Sequence, residues 1–338
     1  MSDDLHGDHY ARGAAHDFAV NVVAGARPPW LQDAIARGVA ALGAYPDEAP
    51  AVAAVAARHG RAVEEVVLVN GSAQAFTLVA HALRPRRPTV VHPSFTEPER
   101  ALREAGAAPA RAILAAPFAL DPSAVGDDAD LVVVGNPTNP TGVLHPRAAI
   151  ADLCRPGRVT VVDEAFMDLV PGERESVAGA ELPGLVVTRS VTKALGVPGV
   201  RAGYLLAPAP VAAALRRARP AWSLNAVALA VLEAAARHPE HTAQLALRTA
   251  EERARLAARL RDVPGVAVLD GAANFLLLEV RDGARVAERL REEHGIAVRP
   301  AATFPGLGSD HLRVAVRGDP LDAQLVAALG AVGSVPVG

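Results

Sequence analysis

The chain has 338 residues, of which 51% are hydrophobic and only 4% aromatic, and its interspersed acids and bases leave a formal net charge of −3. That length supports a large core and two lobes. The charge balance argues against a nucleic-acid footprint, because no basic stripe is interleaved with aromatics. The one cysteine, Cys154, excludes an internal disulfide and points to a reducing cytoplasm. Residues 1–6 lack the basic and apolar regions of a signal peptide, and the apolar runs are too short and interrupted for a transmembrane helix.

In chain order, the Gly-, His- and Asp-rich segment 1–29 reads as an N-terminal arm that packs elsewhere on the molecule. Over 30–224, short apolar runs alternate with amphipathic stretches. A strand at 66–69 leads through Gly71-Ser72-Ala73 into a helix over 74–83, and a strand at 89–91 precedes a helix near 97–106. Further strands are expected at 131–134, 159–162, 185–188 and 202–206. Cys154 reads as part of the apolar face of a helix, a packing position. Unbroken apolar strands separated by helices predict an α/β fold, with a mostly parallel sheet covered on both faces. Such sheets bind ligands at the carboxyl ends of their strands. Over 225–338 the pattern becomes that of a smaller α+β domain. A long helical stretch from about Asn225 to Arg261 is followed by strands at 266–269 and 274–278, a helix near 284–294, and strands at 296–299 and 312–316.

Lys193 is the only lysine; every other Lys/Arg position is arginine. Arginine replaces lysine on a surface, but it cannot lose its proton and act as an amine nucleophile. A lysine that survives this bias is a candidate for covalent chemistry. Its setting, Thr188-Arg189-Ser190-Val191-Thr192-Lys193, is small and hydroxyl-rich, with Gly196, Gly199 and Arg201 following. That suits a Schiff-base lysine beside a bound phosphate; the plainer reading is a leftover surface residue. Three more features follow strands. Asn70-Gly71-Ser72-Ala73 opens a helix and can cradle a phosphate, although such turns are common. Gly135-Asn136-Pro137-Thr138-Asn139-Pro140-Thr141-Gly142 is a rigid loop presenting Asn139. Asp163-Glu164-Ala165-Phe166 places a carboxylate at a strand end, where a cap or turn former is the plainer reading.

The order Gly-Ser-Ala, Asn-Pro-Thr-Gly, Asp-Glu-Ala-Phe, Ser-x-x-Lys and Arg resembles the fold-type I pyridoxal-phosphate enzymes, the aspartate aminotransferase superfamily, over nearly the whole chain. The resemblance implies pyridoxal 5'-phosphate as cofactor, with Lys193 as its covalent anchor and acid/base and Asp163 as the partner of its ring nitrogen. It implies Asn139 at the ring O3′, Phe95 stacked on the ring, and Ser72, Ala73, Ser190, Thr192 and Arg201 around the phosphate. Tyr45 matches a tyrosine that in relatives reaches the phosphate of the neighbouring subunit, which implies a homodimer with shared sites.

Within that superfamily Arg313 matches the carboxylate-binding arginine, and Arg299 offers a second guanidinium; surface salt bridges are the plainer reading of both. Two arginines facing one cleft fit a doubly anionic substrate, a phosphorylated amino acid or amine. Two branches compete, histidinol-phosphate aminotransferases and the L-threonine-O-3-phosphate decarboxylases of cobalamin biosynthesis. Phe166 stands where the aminotransferases usually carry Tyr. Pro220-Ala221-Trp222-Ser223-Leu224-Asn225, Ala273-Asn274-Phe275 and Phe304-Pro305-Gly306 also resemble the decarboxylases. In that branch His6, with Arg299, would hold the phosphate. Asp8 replaces a glycine of the branch, and its carboxylate would repel a phosphate unless it faces away.

Overall fold

A computed structural model describes residues 7–25 and 27–333. Its central sheet has seven strands in the order Val66–Val69, Gly203–Leu206, Leu185–Ser190, Val159–Asp163, Leu131–Gly135, Pro88–His92, Ala110–Ile113. The last five pair in parallel, and Gly203–Leu206 runs antiparallel to both its neighbours. Period-two geometry sends alternate side chains to opposite faces, and in this sheet both faces are covered. Val66, Leu68, Val132, Val134, Val162 and Val187 enter one core, while Val67, Val69, Val133, Val161 and Val186 enter the other. Full burial of a branched apolar side chain is worth about 1.5–3 kcal/mol, so these runs fix the register of the strands. The expected α/β fold with a mostly parallel sheet flanked by helices is what forms.

A second, antiparallel sheet has the order Arg299–Pro300, His311–Ala315, Phe275–Val280, Val266–Leu269. Its core takes Leu276, Leu278, Leu312 and Val314, together with Leu256 and Leu260 from the helix Pro239–Arg261.

Three local expectations are corrected. The helical stretch 225–261 is two helices, Ala226–Arg237 and Pro239–Arg261. Pro239 lacks an N–H and restricts the residue before it, and His238 leaves helical geometry at φ −123°, ψ 54°. Cys154 lies beyond the helix Arg147–Ala151, which stops short of Pro156-Gly157; its thiol still packs against the core, and burial pushes it up from its ordinary pKa. The strand expected over 296–299 divides, with Ile296–Ala297 pairing to His16–Asp17 and Arg299–Pro300 joining the second sheet.

The segment before Pro29 is a strap held on this second sheet. Phe18 is buried in its core. Arg317 donates to the carbonyls of Asp17, Val20 and Val22, and Arg313 donates to that of Ala19. The strap then crosses to the central sheet, where the Val23 amide donates to the Lys193 carbonyl at 2.9 Å. Among the described residues no helix is long and apolar enough to cross a membrane.

Candidate active site

Six of the seven central strands run the same way, so their carboxyl ends collect at one edge. Gly203–Leu206 is reversed, which brings the residues leading into it to that same edge. A cavity of about 350 Å³ opens there. Eleven of the candidate residues line it: Ser72, Ala73, Phe95, Asn139, Asp163, Ser190, Thr192, Lys193, Arg201, Arg299 and Arg313. Tyr45 does not line it and is exposed. His6 lies outside the described residues.

One end of the cavity is built from turns. Gly71 ends the first turn at φ +77° and opens the helix Ser72–Leu83 with no side-chain cap, so the first amides of that helix lack an intrahelical partner. A Cβ on Gly71 would lie 2.5 Å from Nη2 of Arg201; glycine is what lets the guanidinium sit against the helix start. Gly203 pairs with both Val69 and Ser190, and a Cβ there would meet the Arg189 carbonyl at 2.9 Å. The close approach sets the Ser72 turn beside Ser190, whose Oγ is 2.8 Å from Thr192 Oγ1. Helix-start amides, two hydroxyls and one guanidinium therefore line the same cavity, an arrangement that favours an anion.

Further in, Lys193 Nζ lies 3.5 Å from Asn21 Oδ1 and 5.9 Å from the centre of the Phe166 ring. Burial, reinforced by Arg313 and then Arg201, brings its amine down to about 8. Burial pushes Asp163 up to about 7 against the pull of the Ala165 amide and Lys193. Its one hydrogen bond of note comes from the Ala165 amide, at 3.2 Å. A half-buried carboxylate at the cavity with so few partners would gain from a cationic one. Asn139 accepts from Arg313 Nη1 at 2.6 Å through Oδ1, which leaves its amide N–H₂ as the donor. Behind Asn139, His145 braces the loop. Its Nε2 is 3.0 Å from Thr138 Oγ1 and its Nδ1 accepts from the Leu120 amide, and burial holds it neutral with a pKa of about 4.

The second sheet brings Arg299 and Arg313 to the cavity. They are direct cross-strand partners, and both are buried. Neither forms an ion pair with a carboxylate among the described residues, so surface salt bridges are not their role. Arg299 donates to Thr303 Oγ1 and the Pro300 carbonyl, and packs between the rings of Tyr10 and Phe304. Nε of Arg313 is buried without a partner. Burial, then Arg299 and Arg317, pushes Arg313 down to about 9. Like charges opposite each other in a sheet cost stability, and an anion would repay that cost. Asp8 does not face away, since it lines the same cavity and reaches Arg12 only at 3.8 Å.

Two contributors are not among the sequence candidates. Asn21 reaches Lys193 from the strap, and its only signal is one polar residue inside the apolar run Phe18–Val23. Arg189, next to Ser190, is fully buried among Glu164, Asp168 and Glu173 at 2.8, 3.0 and 2.5 Å. It locks Glu164, the neighbour of Asp163, away from the cavity.

The sequence profile described as "Aminotransferase class I and II" matches residues 17–330. The chain is similar to a histidinol-phosphate aminotransferase of Mycobacterium tuberculosis, 45% identical over 92% of this chain and 86% of that one. It is 33% identical to the threonine-phosphate decarboxylase of Salmonella typhimurium, over 93% of this chain and 90% of that one. The fold matches the crystal structure of histidinol-phosphate aminotransferase from Sinorhizobium meliloti in complex with pyridoxal-5'-phosphate. The TM-score is 0.84 at 22% identity, covering 98% of this chain and 94% of that one.

Proposed function

The chain belongs to the class I and II aminotransferase family, whose cofactor is pyridoxal 5'-phosphate, and from that premise we propose that it removes the α-carboxylate of L-threonine O-3-phosphate. The products are carbon dioxide and (R)-1-amino-2-propanol phosphate, a building block of the cobalamin type.

The residues suit the cofactor. The space beside Gly71, the uncapped amides of Ser72 and Ala73 and the Ser190–Thr192 hydroxyl pair would take its phosphate, with Arg201 supplying charge. Lys193 would anchor it covalently, Asn139 would donate to its O3′, and Phe95 would cover the ring. Asp163 would hold a proton at the ring nitrogen, a role that suits a half-buried carboxyl lacking a strong partner. Tyr45, away from its own cavity, would serve the phosphate site of a second copy in a homodimer. Bound there, the cofactor supplies an electron-withdrawing ring that accepts the charge developing at Cα as a bond to it breaks.

This chain's residues would choose the bond. Arg313 would bind the α-carboxylate and Arg299, with His6, the substrate phosphate. Holding both anions through this pair would fix which bond to Cα is presented for cleavage. As the Cα–carboxylate bond broke, carbon dioxide would leave without the bonding pair and the Lys193 ammonium would deliver a proton to Cα. Phe166 packs edge-on against Phe275 at 5.1 Å and brings no phenol to the cavity. The observation that carries the reading is the pair of buried, acid-free guanidiniums facing the sole lysine.

The 45% identity to a protein named histidinol-phosphate aminotransferase favours a second reading, transamination of a phosphorylated amino compound. Lys193 would then move the proton off Cα instead of onto it. Incubating the holoenzyme with threonine phosphate and no keto acid separates the two. Decarboxylation predicts many equivalents of carbon dioxide per site. One equivalent of amino-group transfer with no carbon dioxide would replace it with the second reading.

A further inference from the structure

Tyr45 stands on a platform of its own. It is 77% exposed, and its ring stacks on Trp222, itself 59% exposed, with centroids 4.5 Å and planes 29° apart. Trp222 adopts φ +50°, the left-handed region, where a bulky side chain costs energy and persists only when its surroundings impose it. Two exposed rings recover little of that cost by burial within this chain.

The platform is tied down at three further points. Arg219 Nη2 donates to Glu48 Oε2 at 2.6 Å, joining the Tyr45 segment to the Trp222 segment. Arg219 Nη1 donates to the Leu68 carbonyl at 2.6 Å, on the strand that runs into Gly71-Ser72. Asn225 Nδ2 donates to the Val200 carbonyl at 3.4 Å, next to Arg201. The segments that carry Tyr45 are thus fixed to the two turns at the phosphate end of their own cavity, although Tyr45 stays outside it. Val39 and Leu42, also exposed, precede Tyr45 on the same stretch of chain.

We infer that Trp222 is a positioning residue. Its ring holds the Tyr45 phenol in the orientation in which the phosphate end of a second copy receives it. The inference rests on the reading of Tyr45 as a residue shared between subunits. It gives the left-handed backbone a purpose, because a residue that relaxed position 222 would give up the ring. The anchors at Leu68 and Val200 tie the orientation of Tyr45 in one subunit to the geometry of that subunit's own anion site.

The test is a pyridoxal-phosphate titration of three variants of the dimer, with binding read from the visible absorbance and from borohydride fixation at Lys193. Tyr45→Phe checks the underlying reading; an unchanged cofactor affinity there sinks that reading and the inference with it. Trp222→Gly removes the ring while accepting φ +50° freely, so the cofactor-free variant should melt no lower than the parent. It should nevertheless weaken cofactor binding about three- to tenfold, the range of a lost aromatic pair. Trp222→Phe, which keeps a ring, should stay within about twofold. If Tyr45→Phe weakens binding and Trp222→Gly does not, the positioning role is wrong while the shared tyrosine stands. If Trp222→Gly yields monomers at micromolar concentration, Trp222 is interface packing and the positioning role is again wrong.

Mixed dimers make the test directional. With Trp222→Gly and Lys193→Met on one chain and a parent partner, the single Lys193 faces the disturbed tyrosine and should bind weakly. With the two substitutions on different chains, that lysine faces an intact platform and should bind as in the parent. Equal affinity in both arrangements overturns the inference.

Discussion

Arg189 and Arg313 are both buried arginines, and they are buried in opposite ways. Burial alone would push Arg189 down, but the carboxylates of Glu164, Glu173 and Asp168 more than reverse this and hold it well above its ordinary value. Ser176 Oγ and Arg58 complete the cluster, Arg58 through its own bonds to Asp168 and Glu173. Among the described residues Arg313 touches a carbonyl, an amide oxygen and a ring face, with Arg299 opposite it and Asp17 acting on it only as a weaker, non-bonded charge. Its guanidinium stays charged at neutral pH, but the fold carries that charge at a loss. A cation surrounded by acids is finished as structure. A cation surrounded by other cations and neutral acceptors awaits an anion from outside, which is how a binding residue differs from a structural one in equal burial.

The widest separation between the two comes from deleting each charge. Arg189→Met leaves the buried Glu164 without a cation and Asp168 and Glu173 with Arg58 alone, and unfolding in urea should show a loss of about 3–5 kcal/mol. Arg313→Met should cost the cofactor-free protein nothing or raise its stability, because a charge already held at a loss is removed. Equal losses for the two variants would erase the distinction.

Lys193 sharpens the comparison from the other side, as a half-buried cation in the cavity whose cost depends on pH. Its folded-state pKa of about 8 lies below the ordinary 10.5 of a lysine, so the unfolded chain binds the proton more tightly. The penalty is fully present below pH 8 and disappears as pH rises toward 10.5. Cofactor-free Lys193→Met should therefore be more stable than the parent at pH 7, by on the order of 3 kcal/mol. The gap should close across pH 8 to 10.5. A constant gap over that range would mean that the amine is not desolvated in the fold.

The same contrast marks what could be read from the sequence. The strands of the central sheet are unbroken branched runs, and Ser72, Asp163 and Lys193 each follow one within a few residues, so their convergence follows from strand direction alone. Arg201 needs one more fact, the reversal of Gly203–Leu206, which apolar content does not encode. The cluster joins Arg58 and Arg189 to Glu164, Asp168 and Glu173, all within residues 164–173, and no local period brings the two arginines to that stretch. His238-Pro239 was visible as letters, but the Ala/Leu/Arg periodicity on both sides hid the break. Asn21 matters through Lys193, distant in sequence, and carries no motif of its own, while Trp222 belongs to a legible segment, 220–225, whose stacking on Tyr45 the letters do not encode.

The smallest effect concerns the division of labour between Arg313 and its neighbour. Arg299 is held by Thr303 and two rings, so its position is set before any ligand arrives, and burial holds it below its ordinary value. Asp8 shares the cavity and opposes a phosphate there, which makes the contribution of Arg299 more necessary. Arg299→Ala should therefore raise KM for a phosphorylated amino acid about tenfold, near 1.4 kcal/mol, while leaving KM for the unphosphorylated analogue within about twofold. Asp8→Gly should shift the same ratio the opposite way, by less, because the Asp8 side chain remains largely in water. Steady-state kinetics on the two substrates decide the matter. Equal changes for both would mean that Arg299 reads the α-carboxylate along with Arg313, and that the phosphate is bound elsewhere.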